Sequence, residues 1–99
     1  MGHTLELPDG MSMTISFPNE SRSFDATRRA VRFWGYDSAM EVSFFVDAEA
    51  LRRIQPGTSS DEVALLDAFD LNRERIFATA AKAYAGRHKG SYDLTAIDF

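Results

Sequence analysis

The 99-residue sequence contains no cysteine and only two histidines, His3 and His88, which lie near opposite ends of the chain. The lack of cysteine excludes disulfides, thiolate nucleophiles, iron–sulfur clusters and cysteine-ligated zinc sites. Neither the histidines nor the acidic residues show a spacing typical of metal ligands. The sequence therefore predicts no metal and no cofactor.

Long apolar runs are also missing. No stretch reaches the roughly 18 apolar residues needed to cross a bilayer. The N-terminus does not show the basic, then apolar, then small-residue order of a secretory signal. We therefore expect a soluble, cytoplasmic protein with no membrane partner.

An excess of basic residues, typical of nucleic-acid binding, is absent as well. Lysine and arginine number 11 against 15 aspartate and glutamate residues, which gives a net charge of −4. Hydrophobic residues make up 44% and aromatic residues 12% of the chain, a composition typical of a folded globular protein. We predict a flexible head over residues 1–10 and a single domain over residues 11–99.

Alternating apolar and polar residues predict four strands. The first covers residues 11–17, and the clearest pair, residues 30–36 and 40–46, forms a hairpin because only three residues connect them. A last strand is predicted over residues 91–95. The polar stretch over residues 20–29 is predicted to be a loop, with Phe24 as its apolar anchor.

Two helices are predicted between the hairpin and the last strand. Asp47 is a candidate N-cap for a short helix over residues 48–54. A Ser59-x-x-Glu62 capping box begins a second, long amphipathic helix that runs to Ala85. The order β-β-β-α-α-β predicts an α+β fold: a small antiparallel sheet with one short and one long helix packed on one face.

Several runs of the sequence, in this order and spacing, resemble a small bacterial family, domain-of-unknown-function family 1488. The similarity extends over residues 13–99, and it is carried by Phe17-Pro18-Asn19, Ser21-Arg22-Ser23, residues 31–37 (VRFWGYD), residues 41–46 (EVSFFV), residues 90–95 (GSYDLT) and Asp98-Phe99. The resemblance implies a small, stand-alone α+β protein of bacteria. It implies no activity, substrate or catalytic residue.

The predicted hairpin carries large rings on both of its faces. Neighbouring residues of a strand point to opposite sides, so Trp34, Tyr36 and Phe45 are expected to lie away from the helices, with Arg32 beside them. A layer of helices cannot cover both faces. The second face is covered either by the chain's own loop over residues 21–29 or by a partner, which includes a second copy of the chain.

Arg73 interrupts the apolar stripe of the long helix and therefore has two interpretations. It either binds an anion in a pocket between helix and sheet, or forms a structural ion pair or extends its charged end to water. We favour the structural alternative, and we keep Arg73 as a candidate binding residue beside Arg32, Trp34, Tyr36 and Phe45.

The predicted function is protein–protein binding or homodimerisation through the aromatic face of the sheet. The alternative is binding of nucleic acid or a small anion through the arginines near the second strand, since arginine beside aromatic rings binds single strands in some proteins. The acidic composition disfavours nucleic acid. Catalysis ranks third because no nucleophile motif occurs and no carboxylate pair is shown to converge, so no catalytic residue is predicted.

Overall fold

The computed structural model describes residues 15–86 and 91–99. The predicted head, residues 1–10, and most of the predicted first strand lie outside the described residues. The elements in chain order are β1 (Ile15–Ser16), β2 (Ser23–Asp25), β3 (Ala30–Asp37), β4 (Met40–Asp47), α1 (Ala48–Ile54), α2 (Glu62–Leu71), α3 (Arg73–Gly86), β5 (Ser91–Leu94) and a final 3-10 turn (Ala96–Asp98).

The five strands form one mixed sheet, and the α+β class is confirmed. β3 and β4 pair antiparallel along eight positions, from Ala30 opposite Asp47 to Asp37 opposite Met40. β1 and β2 both pair antiparallel with β3, at its two ends, and β5 lies on the other side of β4. β5 runs parallel to β4, which departs from a purely antiparallel sheet. The three helices between β4 and β5 form the long crossover that a parallel pair requires.

The predicted loop over residues 20–29 contains the short strand β2. Phe24 lies opposite Val31 and packs against the core, so it is an anchor as predicted. Its ring is on the helix side of the sheet. Phe24 therefore does not cover the opposite face, whereas the side chain of Arg28, in the same predicted loop, lies over the ring of Phe45 on that face.

The structure has two helices where the sequence pattern predicted one long helix. Asn72 separates α2 from α3, and its side-chain amide donates to the Ala68 carbonyl at 2.8 Å and to Gln55 Oε1 at 3.1 Å. The N-cap of α2 is Asp61, which accepts from the Ala64 N–H at 2.8 Å; Ser59 only donates to that carboxylate. The predicted cap at Asp47 is present, since its side chain accepts from the Ala50 N–H.

The core lies between the helices and one face of the sheet. Its fully buried members alternate along the central strands and are joined by helix residues: Val31, Phe33, Val42, Phe44, Val46, Leu51, Leu65, Phe69 and Ile76. Within this core, Phe33 stacks on Phe44 at 5.3 Å between ring centroids. Gly35 occupies an inward position where Phe17 and Ile15 approach the backbone closely. The three helices thus bury one side of the hairpin and leave the other.

Candidate functional site

The outward residues of β3, β4 and β5 form what we call the open face: Arg32, Trp34, Tyr36, Glu41, Ser43, Phe45, Ser91 and Asp93. Across the central strands, Arg32 lies opposite Phe45, Trp34 opposite Ser43 and Tyr36 opposite Glu41. In the described part of the chain, no helix packs on this side. Four of the five predicted binding residues therefore share one surface.

Phe45 is only 6% exposed although no helix covers it. The guanidinium of Arg28 lies 4.1 Å from the centroid of its ring, and that of Arg32 lies 5.5 Å from it. Arg32 is also 5.1 Å from the centroid of the Trp34 ring. The ring of Phe45 is thus shielded by two cations, in the geometry of cation–π contacts.

The two arginines differ in how their charge is compensated. Arg28 pairs with Asp93 at 3.2 Å and with Asp25 at 3.6 Å. Arg32 donates from Nη2 to the Ser43 hydroxyl at 2.9 Å, whereas its buried Nε has no hydrogen-bond partner in the described part of the chain. Among the described residues, no carboxylate oxygen lies within 4.0 Å of Arg32. Arg32 is therefore a half-buried cation on the open face to which residues 15–86 and 91–99 supply no counter-ion.

Tyr36 marks the other end of the open face. Its hydroxyl donates to Glu41 Oε2 at 2.9 Å and accepts from Asn19 Nδ2 at 3.3 Å. Beside it lies a shallow groove of about 450 Å³, lined by Ser16, Pro18, Asn19, Tyr36 and Ser38. This groove continues the open face past the edge of β3.

Arg73 does not belong to the open face. Its Nη2 donates to Asp70 at 2.8 Å and to the Glu20 carbonyl at 2.9 Å, and its guanidinium lies 5.0 Å from the ring centroid of Phe69, a core residue. Arg22 binds the same carboxylate through two hydrogen bonds, at 3.0 and 2.8 Å. The cluster joins the segment before β2 to the end of α2, which is the geometry of a structural ion pair.

The perturbed groups are held in their ordinary charge states at neutral pH. Hydrogen bonds from Arg22 in the first place, and from Arg73, lower the pKa of Asp70, and the same contact raises the pKa of Arg22. The hydrogen bond from Tyr84 to Asp37, together with burial, raises the pKa of Tyr84 to about 12. Neither Asp70 nor Tyr84 is thereby prepared to exchange a proton near neutral pH.

The described ranges, residues 15–86 and 91–99, contain neither a metal-binding cluster nor a membrane-spanning helix. No group of three or more histidine, aspartate or glutamate side chains is placed to hold a metal ion there. Within those ranges, no helix has both the length and the apolar character required to cross a bilayer.

Some residues around the open face were missed from the sequence. Ser43 follows from strand alternation within β4 but is not among the predicted binding residues, and Asp93 follows from alternation only once β5 is known to lie beside β4. Arg28 belongs to the arginines near the second strand that the sequence offers for the alternative function, but the sequence does not predict its contact with Phe45, made from the turn after β2. The contact between Arg22 and Asp70 joins residues 48 positions apart, and no local signal indicates it.

Comparison with known proteins gives a family and a fold. The family model described as "Protein of unknown function (DUF1488)" matches residues 15–95. A crystal structure of a protein of unknown function from the same family, from Shewanella loihica PV-4, is similar with a TM-score of 0.74 and 19% identity. The match covers 86% of this chain and 96% of that one. No curated protein matches the sequence.

Proposed function

The chain belongs to the DUF1488 family of proteins of unknown function, and we propose that it acts by binding another protein through the open face. Arg32 and Trp34 form the centre of the contact. Phe45, Tyr36 and Ser43 surround them on the same side of β3 and β4. The partner presents a carboxylate to Arg32.

One observation carries this proposal: the guanidinium of Arg32 lies near the rings of Trp34 and Phe45, and no carboxylate of residues 15–86 or 91–99 lies within 4.0 Å of it. A half-buried cation that lacks a counter-ion is costly to keep, and it gains most from an oppositely charged group that also displaces water. Tryptophan, tyrosine and arginine are the residues that dominate the binding energy of protein interfaces. Here all three types occupy successive outward positions of β3, at Arg32, Trp34 and Tyr36.

Arg73 is left out of the proposed contact. Its Nη2 is already shared between Asp70 and the Glu20 carbonyl, on the helix side of the sheet. A partner seated on the open face does not reach it.

Binding of a nucleic acid or a small anion is the second candidate function, since Arg32 beside Trp34 also suits a stacked base. Three carboxylates border the same surface, at Asp25, Asp93 and Glu41. They repel phosphates, whose binding depends on clustered positive charge. The charge arrangement therefore favours a protein partner.

A photo-crosslinker tests the proposed function. The photoreactive residue p-benzoylphenylalanine replaces Trp34 in the full chain, expressed in the cells that make it naturally. We expect one discrete adduct with a polypeptide, and we expect the adduct to disappear when Arg32→Gln is added. The same crosslinker at Val63, which is 69% exposed on α2, is the matched control and gives no such adduct.

The outcomes separate the candidates. A protein adduct that depends on Arg32 supports the proposal. An adduct with nucleic acid, with binding that weakens steeply as salt is raised, favours the second candidate. Equal adducts from Trp34 and Val63, or none from Trp34, overturn the proposed binding face.

A further inference from the structure

The open face has two charged residues without an ionic partner among the described residues, Arg32 and Glu41, and they lie at its opposite ends; Asp93, at the same end as Arg32, is paired with Arg28. Arg32 and its opposite residue Phe45 lie two positions from the Trp34 and Ser43 pair in one direction along the strands. Glu41 and its opposite residue Tyr36 lie two positions away in the other. At about 3.3 Å per residue, each charge is about 6.6 Å from the centre. Neither charge has an ionic partner within 4.0 Å among the described residues.

We infer that the occupant of the open face is a second copy of this chain, packed so that Arg32 of each copy meets Glu41 of the other. The inference rests on the proposed function and names its partner. Consider a two-fold axis in the plane of the interface that runs across the strands through the Trp34 and Ser43 pair. Rotation about this axis exchanges the two ends of the face. It lays β3 of one copy over β3 of the other in the opposite direction, so Arg32 faces Tyr36 of the other copy, and Glu41 of that copy lies one strand spacing, about 4.8 Å, to the side, within reach of the long arginine side chain. The two ion pairs formed in this way are identical.

The dimensions of packed sheets allow these contacts. Face-to-face sheets lie about 10 Å apart, a gap that an arginine and a glutamate side chain together span. Aligned sheets cross at about 30°, which displaces positions 6.6 Å from the axis sideways by only about 3 Å. The indole of Trp34 lies near the axis, so the two copies bring their tryptophans together at the centre.

The other two-fold axis in the plane fits less well. An axis parallel to the strands puts β3 of one copy over β4 of the other in the same direction. Arg32 then faces the ring of Phe45, and Tyr36 faces Glu41. The carboxylate nearest to Arg32 is then Asp93 of the other copy, beside Phe45, and Asp93 is already paired with Arg28. The axis across the strands instead brings Arg32 to Glu41, which has no ionic partner among the described residues.

The area of the face sets the strength to expect. The sheet is four strand positions wide, and its longest strands have eight residues. The projected area of the open face is therefore at most about 500 Å² on each copy. Two copies therefore bury about 1,000 Å², the lower end of specific interfaces and the range of weak or transient complexes. We expect association in the micromolar range rather than a permanent dimer.

Exchange of the two charges tests this arrangement. We expect analytical ultracentrifugation of the wild-type chain to show a rise from the chain mass of 11.1 kDa toward twice that mass as the concentration increases through about 100 µM. Arg32→Glu and Glu41→Arg each place like charges in contact, and each weakens association at least tenfold. A one-to-one mixture of the two variants restores it, because every contact in the mixed dimer again joins a glutamate to an arginine.

Arg75→Glu is the matched control, since Arg75 is exposed in the first turn of α3, where an acidic residue is well tolerated. It leaves association unchanged. The double variant Arg32→Glu/Glu41→Arg associates like the wild type, which separates charge pairing from any loss of folding in the single variants.

Two results overturn the second-copy inference: a wild-type chain that stays monomeric up to about 1 mM, or a dimer that both single variants leave intact. The proposed function fails separately, when the crosslinker at Trp34 captures nothing. If the chain is monomeric but still forms an adduct with a different polypeptide, the open face is the binding face and its occupant is that polypeptide, not a second copy.

Discussion

Gly35→Ala is predicted to destabilise the fold because the first strand lies directly on this glycine. A Cβ atom added there would be 2.8 Å from Phe17 Cε1 and 2.9 Å from Ile15 Cγ1, against about 3.5–4.0 Å for carbon atoms in comfortable contact. Overpacking of this kind costs about 1–3 kcal/mol. If β1 instead detached from the sheet, two apolar side chains would lose their burial, at about 1.5–3 kcal/mol each. Detachment would therefore cost no less than the overpacking.

Thermal and urea denaturation followed by circular dichroism measure this effect. At about 4–8 °C per kcal/mol for a domain of this size, the melting temperature falls by roughly 5–20 °C. The sign of the change in stability is informative. Alanine is otherwise the better residue inside a strand and reduces the entropy of the unfolded chain, so without the clash Gly35→Ala would stabilise the fold. Stabilisation by Gly35→Ala would refute the close approach of β1.

A double-mutant cycle with Phe17→Ala locates the clash. Removal of the ring takes away the shortest contact and leaves those with Ile15 at 2.9 and 3.0 Å, so Gly35→Ala costs about 0.5–1 kcal/mol less in the Phe17→Ala background. Additive effects of the two substitutions would mean that the ring of Phe17 does not rest on Gly35.

Two further predictions concern charge and pH. Asp70→Asn removes the shared partner of Arg22 and Arg73 and lowers the free energy of unfolding by about 1 kcal/mol at pH 7, a modest value because the cluster is partly exposed. Since the pKa of Asp70 is lowered in the folded state, the stability difference between wild type and Asp70→Asn is complete above about pH 3.9, the ordinary aspartate value. It is lost as the pH falls through the lowered pKa. Urea denaturation of both chains from pH 7 to 2 measures this dependence. Tyr84→Phe removes the hydrogen bond to Asp37, and the resulting stability difference is constant below pH 10 and shrinks as the pH rises toward about 12, because the folded pKa is raised; a difference unchanged at pH 11.5 contradicts the assignment.

Strand alternation explains why much of the open face was predictable. The period of two is a local property, so the positions of Arg32, Trp34 and Phe45 relative to Phe33 and Phe44 follow from the sequence once the hairpin is recognised. The N-cap at Asp47 and the apolar stripe of the helices also follow from residues that are close in the sequence. They predict that one face of the sheet is buried.

Other features depend on contacts between distant residues. The break at Asn72 arises because its amide bonds both a carbonyl of its own helix and Gln55 of the preceding connection. Arg29 adopts a left-handed backbone conformation, with φ of 51°, in the turn from which Arg28 reaches Phe45. Neither the parallel direction of β5 nor the pairing of Arg28 with Asp93 has a local signal.

The accessibility of Trp34 tests the central claim most directly, since it is the chain's single tryptophan and lies at the centre of the open face. Its fluorescence is measured with acrylamide as a quencher while the chain concentration rises from about 0.1 µM to about 500 µM. We predict that quenching weakens as the chain associates, and that Arg32→Glu keeps the strong quenching of the dilute wild type at every concentration. Quenching that is the same at all concentrations, with the chain at its monomer mass throughout, would contradict a contact between two copies at this surface.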